Sequence, residues 1–122
     1  MSASILVVDD SQMVRLQVTL ALAAAGFDVI EAADGVDALE KLESSPHARA
    51  ILCDVNMPRM GGLEFLERVQ ANGSTVPVVM LTTEGQVEMM LRAKALGAKG
   101  WIVKPFRPEL LVAAIKKLTS AV

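Results

Sequence analysis

Aromatic residues and cysteine are scarce in this sequence. Its 122 residues include no tyrosine, one tryptophan, three phenylalanines and one cysteine, whereas 52% of them are hydrophobic. The core must therefore be built from aliphatic side chains, and the chain is long enough to bury one without disulfides or a structural metal. The single cysteine, Cys53, has no partner for an internal disulfide, which is typical of the reducing cytoplasm. We expect one cytoplasmic globular domain over residues 1–122.

The sequence also lacks an excess of positive charge and a long hydrophobic run. It has 12 basic and 14 acidic residues, and no cluster of Lys and Arg that would attract nucleic-acid phosphates. The most apolar stretch, Val18 to Phe27, is about half the ~20 residues that a membrane-spanning helix needs. Met1 to Ser4 lacks the positive charge that begins an export signal. These absences argue against direct nucleic-acid binding, membrane insertion and export.

Short apolar runs typical of β-strands alternate with longer stretches whose hydrophobic residues recur at helical spacing. The predicted strands are Ile5–Val8, a weaker strand around Val29–Ile30, Ala50–Cys53, Val76–Leu81 and Trp101–Val103. The predicted helices are Gln12–Ala25, Gly35–Glu43, one across Leu63 to Gln70, Val87–Leu96, and one that begins near Pro108. Five strands and five helices in strict alternation predict an α/β fold: a doubly wound parallel sheet covered by helices on both faces.

The first predicted helix has a wide apolar stripe. Ser11 precedes the helix as a candidate N-cap, and Gly26 follows it as a terminator. The stripe that we predict to face the core is formed by Met13, Leu16, Leu20 and Ala24, with Val14, Val18, Ala21 and Ala25 beside them.

Side chains able to do chemistry follow four of the five predicted strands. Asp9 and Asp10 follow the first strand, Asp54 the third, Thr82 the fourth and Lys104 the fifth. In an open doubly wound sheet, ligands bind outside the carboxyl ends of the strands. If the strand order is 2-1-3-4-5, these five residues can converge on one pocket.

Three clustered carboxylates repel one another unless a cation lies among them. Oxygen ligands of this kind suit a hard divalent ion such as Mg²⁺, and one Mg²⁺ together with Lys104 would balance the charge of Asp9, Asp10 and Asp54. The pattern predicts that Asp54 acts as a carboxylate nucleophile toward a phosphoryl group, while the metal and Lys104 stabilise the transferring oxygens.

These motifs resemble those of the receiver domains of two-component response regulators. The matching segments are Asp9-Asp10, the run Asp54-Val55-Asn56-Met57-Pro58 with Gly62 after it, Thr82, and Lys104-Pro105. The resemblance covers nearly the whole chain, and the spacings of 44, 28 and 22 residues from Asp10 through Asp54 and Thr82 to Lys104 are also similar. It implies a flavodoxin-like (βα)5 three-layer sandwich with strand order 2-1-3-4-5.

The resemblance implies that Asp54 accepts a phosphoryl group from the phosphohistidine of a sensor histidine kinase, with Mg²⁺ as cofactor. It further implies that Asp10 and Asp54 bind the metal directly, together with the backbone carbonyl of Asn56. Asp9 would act mainly through a metal-bound water.

Signal transmission is implied for three further positions. Thr82 would hydrogen-bond the phosphoryl group and shift toward it, and Lys104 would form an ion pair with it. Trp101 stands where the family usually has Tyr or Phe, a side chain that changes rotamer as the threonine moves. The family also suggests a cis peptide bond between Lys104 and Pro105.

Two further positions each lie at the same distance in sequence after a site residue. Asn56 and Glu84 each lie two residues past a site residue, where the family tunes hydrolysis of the acyl phosphate. Their combination with the Met57-Pro58 turn is similar to single-domain chemotaxis regulators of the CheY type.

The implied function is that of a stand-alone, monomeric response regulator with no output domain. It would catalyse its own phosphorylation and dephosphorylation without turning over an external substrate. Output would pass to a flagellar motor switch or a phosphotransfer protein through the fourth helix, fifth strand and fifth helix, including Lys94, Trp101, Arg107 and Lys117. A phosphorelay shuttle that passes its phosphate to a histidine phosphotransfer protein remains an alternative.

Two other classes share part of the pattern. A phosphatase of the haloacid dehalogenase type also uses a nucleophilic Asp and Mg²⁺, but it needs an acid two residues after that Asp at the end of the first strand. Val8-Asp9-Asp10-Ser11 does not supply this arrangement. A flavodoxin-like electron carrier needs a phosphate-binding loop after the first strand and aromatic residues around the flavin, and the sequence provides neither.

Overall fold

The computed structural model describes residues 3–45, 47–83 and 87–120, along which five strands alternate with five helices. The strands are β1 (Ser4–Val8), β2 (Asp28–Ala32), β3 (Ala48–Asp54), β4 (Val78–Thr83) and β5 (Gly100–Lys104). The helices are α1 (Gln12–Ala24), α2 (Gly35–Ser44), α3 (Gly62–Ala71), α4 (Val87–Ala95) and α5 (Pro108–Ser120). Every predicted element is present at the expected place in the chain.

All strand pairs are parallel, and the sheet has the order β2-β1-β3-β4-β5. The predicted α/β class and the implied flavodoxin-like strand order are therefore confirmed. β4 begins two residues later than predicted, after Pro77, whose ring nitrogen has no hydrogen to donate to a neighbouring strand. It also ends later, because Thr82 and Thr83 continue the pairing with β5.

The central strands bury both of their faces, which explains their continuous apolar sequence. Ile5 and Val7 point to one face, where they pack with Leu111 and Ile115 of α5. Leu6 and Val8 point to the other face, together with Phe65 of α3, which is fully buried. Helices α1 and α5 thus cover one face of the sheet, and α2, α3 and α4 cover the other.

The predicted inward face of α1 is wrong for its main stripe, although Val18, which was expected beside that stripe, is buried. Val18 and Leu22 are the fully buried residues of this helix, and they belong to the layer shared with α5. The residues expected to form the buried stripe are exposed: Met13 by 69%, Leu16 by 54%, Leu20 by 62%, and Ala24. The helix is apolar around most of its circumference, so hydrophobic spacing alone does not identify the face that meets the sheet.

Side-chain caps fix the starts of two helices at the carboxyl ends of the strands. Ser11 Oγ accepts a hydrogen bond from the backbone N–H of Val14 at 3.2 Å, which confirms the predicted N-cap of α1. Asp34 Oδ1 accepts one from the N–H of Asp37 at 2.9 Å and caps α2 in the same way. Gly26 ends α1 with a φ of 96°, which glycine adopts without steric cost.

The longest described helices, α1 and α5, have 13 residues each. In the part of the chain that the structure describes, no helix has both the length and the apolar character needed to cross a bilayer.

Candidate functional site

The carboxyl ends of four neighbouring strands bring the predicted site residues to one edge of the sheet. Asp9 and Asp10 follow β1, Asp54 is the last residue of β3, Thr82 lies near the end of β4, and Lys104 ends β5. We call this edge, with these five residues, the carboxyl edge.

The pairing register keeps the four strand ends level. The residue before Asp9 pairs with the residue before Asp54, and Asp54 pairs with the residue before Thr82. The residue after Thr82 in turn pairs with Lys104. Because neighbouring strands lie about 4.8 Å apart, this register places the side chains within reach of one another.

Three carboxylates form an acidic cluster at the carboxyl edge. Asp9, Asp10 and Asp54 each offer one oxygen, and these oxygens lie within 4.8 Å of one another. Asp9 is fully buried and Asp54 is 7% exposed, whereas Asp10 is open to solvent. A set of oxygen donors with one open side is what a hard divalent cation that keeps several waters requires, so the residues present fit Mg²⁺.

Lys104 links the two buried carboxylates. Its Nζ donates to Asp9 Oδ2 at 2.9 Å and lies 3.2 Å from Asp54 Oδ1. Burial alone would lower the pKa of Lys104, but the hydrogen bond to Asp9 and the charge of Asp54 outweigh it and raise the pKa. The lysine therefore stays positively charged beside Asp54. The peptide bond from Lys104 to Pro105 is cis, as the motif implied.

Thr82 supplies an unused hydroxyl next to this pair. The residue is fully buried, and its Oγ1 has no hydrogen-bond partner among the described residues. A buried hydroxyl without a partner costs about 1–3 kcal/mol. A buried hydroxyl without a partner at the carboxyl edge is typical of a site whose ligand completes the hydrogen bond.

Asp9 is held by contacts that the sequence does not reveal. The backbone N–H of Ser11 donates to Asp9 Oδ1 at 2.8 Å. The guanidinium of Arg15 donates to the backbone carbonyl of Asp9 and also pairs with Glu31 at 3.3 Å. A lone arginine in the first turns of a helix is an ordinary solvent-facing residue by sequence, so only the fold reveals this role.

The loop after Asp54 turns sharply because of a glycine. The N–H of Gly62 donates to the carbonyl of Val55 at 2.8 Å, and a Cβ on Gly62 would lie 2.2 Å from the carbonyl oxygen of Asp54. Only glycine allows α3 to begin this close to the phosphoacceptor candidate. Asn56, whose backbone carbonyl is the implied third metal ligand, lies in this loop with its side chain exposed.

Trp101 lies at the periphery of the site. Trp101 is 38% exposed on the edge strand β5. In the register it pairs with Met80, while Thr82 pairs with Val103, so Thr82 and Trp101 stand on the same face of the sheet. Glu84 lies outside the described residues.

Comparison with known proteins agrees with this geometry. The family model of the response regulator receiver domain matches residues 5–116. This chain belongs to the response regulator receiver family. The resemblance inferred from the motifs is thereby confirmed.

The relatives of this receiver domain include chemotaxis proteins. Chemotaxis protein CheY1 of Helicobacter pylori strain J99 is 39% identical over 110 residues, which are 88% of this chain and 89% of that protein. The structure of Vibrio cholerae chemotaxis protein CheY4 has a TM-score of 0.90 and 42% identity, covering 97% of this chain and 99% of that one. A CheX-CheY-BeF3-Mg²⁺ complex from Borrelia burgdorferi has a TM-score of 0.89 and 28% identity, covering 95% and 88% of the two chains.

The receiver domain concentrates negative charge at Asp54. Burial, followed by the neighbouring charge of Asp9, raises the pKa of the Asp54 carboxyl, although Lys104 partly offsets this. A carboxyl whose pKa is raised by folding destabilises the folded state once it is ionised. Part of the folding free energy of the receiver is therefore lost at neutral pH to keep this carboxylate charged.

We expect Asp54→Asn to raise the Tm of the metal-free receiver by a few degrees at neutral pH. The amide has nearly the same size but removes one of the mutually repelling charges, while Lys104 retains its hydrogen bond to Asp9. The gain should shrink as the pH falls through the Asp54 pKa, because the wild-type carboxyl then becomes protonated. Thermal unfolding followed by circular dichroism in a chelator measures the effect.

Asp28→Asn is the matched control, because Asp28 is exposed on β2 and remote from the carboxyl edge. Its Tm should equal that of the wild type. A lower Tm for Asp54→Asn than for both proteins would contradict the charge argument.

Proposed function

We propose that this receiver domain takes a phosphoryl group onto Asp54 from the phosphohistidine of a sensor histidine kinase, and then signals by docking to a partner protein. The observation that carries the proposal is the setting of Asp54. This buried carboxylate ends a central strand, has the Lys104 ammonium at 3.2 Å, and lies beside a strand whose buried Thr82 hydroxyl has no partner among the described residues.

The proposed step is an in-line displacement at phosphorus. The bond between phosphorus and the donor imidazole nitrogen breaks as a bond to an Asp54 carboxylate oxygen forms, and the imidazole leaves. Positioning and charge stabilisation carry most of the catalysis in such transfers. Lys104 would stabilise the negative charge on one phosphoryl oxygen, and the Thr82 hydroxyl would donate to another.

Mg²⁺ is the proposed cofactor of this step. Asp10 and Asp54 would hold it with the backbone carbonyl of Asn56, while Asp9 would act through a metal-bound water. The ion supplies charge stabilisation to the transferring oxygens. The acidic cluster supports this assignment, and so does the Borrelia burgdorferi CheX-CheY complex, which is a complex with BeF3 and Mg²⁺.

Loss of the phosphoryl group by hydrolysis would reset the receiver. The proposed residues that tune this reaction are Asn56, in the exposed part of the loop after β3, and Glu84. The protein would thus catalyse reactions of its own acyl phosphate and remain a signalling protein without an external substrate, consistent with its family.

The proposed output face consists of α4, β5 and α5. Trp101 and Val103 are 38% and 41% exposed on the edge strand, and Lys94 of α4 and Arg107, just before α5, are exposed as well. Donation from Thr82 to a phosphoryl group would draw β4 toward Asp54 and open space on the same face for the Trp101 ring. The change in this surface would then favour one partner.

A chemotaxis role is favoured over a phosphorelay shuttle by the relatives, which include chemotaxis proteins from Helicobacter pylori and Vibrio cholerae. The partner would then be a component of the flagellar motor switch, and the receiver would act as a cytoplasmic monomer.

Asp54→Asn should abolish Mg²⁺-dependent labelling by a radioactive small acyl phosphate, because the amide offers no nucleophilic carboxylate. Labelling is measured by autoradiography of the denatured protein. The wild type and the surface variant Asp28→Asn should both be labelled. Persistent labelling of Asp54→Asn would refute the phosphoacceptor assignment.

Lys104→Ala should still be labelled but should lose the conformational response. Phosphorylation of the wild type is expected to change the fluorescence of Trp101, the single tryptophan, and the variant should show little change for the same fraction of labelled protein. Lys99→Ala removes an exposed lysine just before β5 and serves as the control. An unaltered response in Lys104→Ala would exclude this lysine as the transmitter.

Arg107→Ala and Trp101→Ala should each weaken binding of the phosphorylated receiver to the flagellar switch protein of its source organism by about tenfold, as expected of central interface residues. Surface plasmon resonance measures the Kd. Glu43→Ala, an exposed change on α2, which packs against β1 and β2, should bind like the wild type. Equal affinity in all four proteins would reject this face as the output surface.

A further inference from the structure

The loop between β3 and α3 contains an unusual backbone conformation. Arg59 has a φ of 63°, and it is the one non-glycine residue with positive φ in the ranges 3–45, 47–83 and 87–120. Side chains with a Cβ rarely adopt this left-handed conformation, and where they do, surrounding contacts impose it. Hydrophobic pattern and motif spacing gave no reason to single out Arg59.

The contact that accompanies this conformation is a forked ion pair with Asp34. Arg59 Nε donates to Asp34 Oδ2 at 2.8 Å, and Arg59 Nη2 donates to Oδ1 at 3.1 Å. Asp34 is 6% exposed, and its Oδ1 also accepts a hydrogen bond from the N–H of Asp37. These bonds lower the pKa of Asp34, the Arg59 contact contributing most. A two-point contact between a guanidinium and a carboxylate fixes both position and orientation.

The residues that follow Asp34 and Arg59, which are Gly35 and Met60, also contact each other closely. The N–H of Gly35 donates to the carbonyl of Met60 at 3.0 Å, and a Cβ on Gly35 would lie 2.6 Å from Met60 Cγ. The start of α2 and the end of the β3–α3 loop are therefore joined by a backbone bond, a steric fit and the forked ion pair. We call these contacts the loop latch.

The latch acts on the segment that carries Asn56. Val55 is buried and paired to β4 through its N–H, and Met60 is 7% exposed. Between these fixed points, Asn56, Pro58 and Arg59 are exposed. We call this exposed segment, residues 56–59, the β3–α3 arch. Arg59 lies three residues after Asn56, whose carbonyl is the implied metal ligand. From the arch, the Arg59 side chain reaches the buried carboxylate of Asp34, which lies between β2 and α2.

We infer that Arg59 is a positioning residue for the metal site: its forked pair with Asp34 holds the β3–α3 arch in the shape that presents the Asn56 carbonyl to Mg²⁺. The inference rests on the proposed function, because it assumes that the acidic cluster and this carbonyl bind the ion. The Arg59 guanidinium binds Asp34, a carboxylate outside the acidic cluster. It acts through the backbone, as outer-shell groups do when they orient a metal ligand.

Mg²⁺ affinity of the full chain, measured by isothermal titration calorimetry without a phosphodonor, tests the inference. Arg59→Lys keeps the charge but cannot form the fork, and Asp34→Asn keeps an N-cap but loses the carboxylate. Each should raise the Kd for Mg²⁺ by about tenfold. The double variant should be no weaker than either single one, because both changes break the same contact.

Arg59→Gly separates the latch from the backbone conformation. Glycine adopts positive φ freely, so a raised Kd in this variant assigns the effect to the ion pair, whereas a wild-type Kd would overturn the inference. Arg68→Gln breaks an exposed ion pair with Glu64 on α3 and should leave the Kd unchanged. A purely structural role for the latch would lower the Tm of Arg59→Lys without changing its Kd, and this result would also overturn the inference.

Failure of the inference is distinguishable from failure of the proposed function. Wild-type Mg²⁺ binding with equal Kd values in Arg59→Lys and Asp34→Asn refutes the latch alone. Absence of Mg²⁺ binding by the wild type refutes both the metal assignment and the inference that depends on it.

Discussion

One ammonium group compensates two buried carboxylates, and the arrangement of the carboxyl edge depends on this contact. An unpaired ion inside a protein costs several kcal/mol, so Asp9 and Asp54 require a partner. Lys104 meets both at 2.9 and 3.2 Å, although 95 residues separate it from Asp9 along the chain. The compensation exists only once β5 has joined the sheet beside β4. Strand order and charge balance are thus coupled: the same topology that buries the core also brings the lysine to the acids.

The order and type of the elements followed from hydrophobic periodicity, because the three central strands contain continuous apolar runs. The edge strand β2 gave a weaker signal, since only Val29 and Ile30 form its apolar centre. The burial of α1 did not follow from the same signal. Helical periodicity identifies a buried face only when the opposite face is polar, and Met13, Leu16 and Leu20 make both sides apolar. The buried face of α1 is determined by the tertiary contacts of Val18 and Leu22 with the layer that contains α5. These contacts are not encoded in the local sequence.

The part of the site formed by reactive side chains at the strand ends was predictable. Acidic, hydroxyl and amine side chains that follow separate parallel strands meet when those strands are neighbours, and this order was implied by the family resemblance. The observed order and register place Asp54 and Lys104 accordingly. Arg15 and Arg59 were not predictable, because each reaches a group on a different corner of the fold: the Asp9 carbonyl in one case and the Asp34 carboxylate in the other. Exposed arginines are common on any surface, and only three-dimensional proximity distinguishes a positioning arginine from a solvated one.

Arg15, Arg59 and Lys104 differ in whether their contacts depend on what binds at the carboxyl edge. Arg15 binds a backbone carbonyl and Arg59 binds a carboxylate outside the acidic cluster, so both can keep their contacts whatever occupies the pocket. Among the residues that the structure describes, Lys104 is the cation that pairs with Asp9 and Asp54 of the acidic cluster. Under the proposed function, a phosphoryl group on Asp54 would add negative charge where Lys104 already serves two partners, and the lysine would shift toward the new oxygens. Asp9 would then lose part of its compensation, and a divalent cation would have to supply it. This competition gives a physical reason why phosphorylation and metal binding should be coupled, with the fixed arginines holding the surrounding loops while the lysine moves.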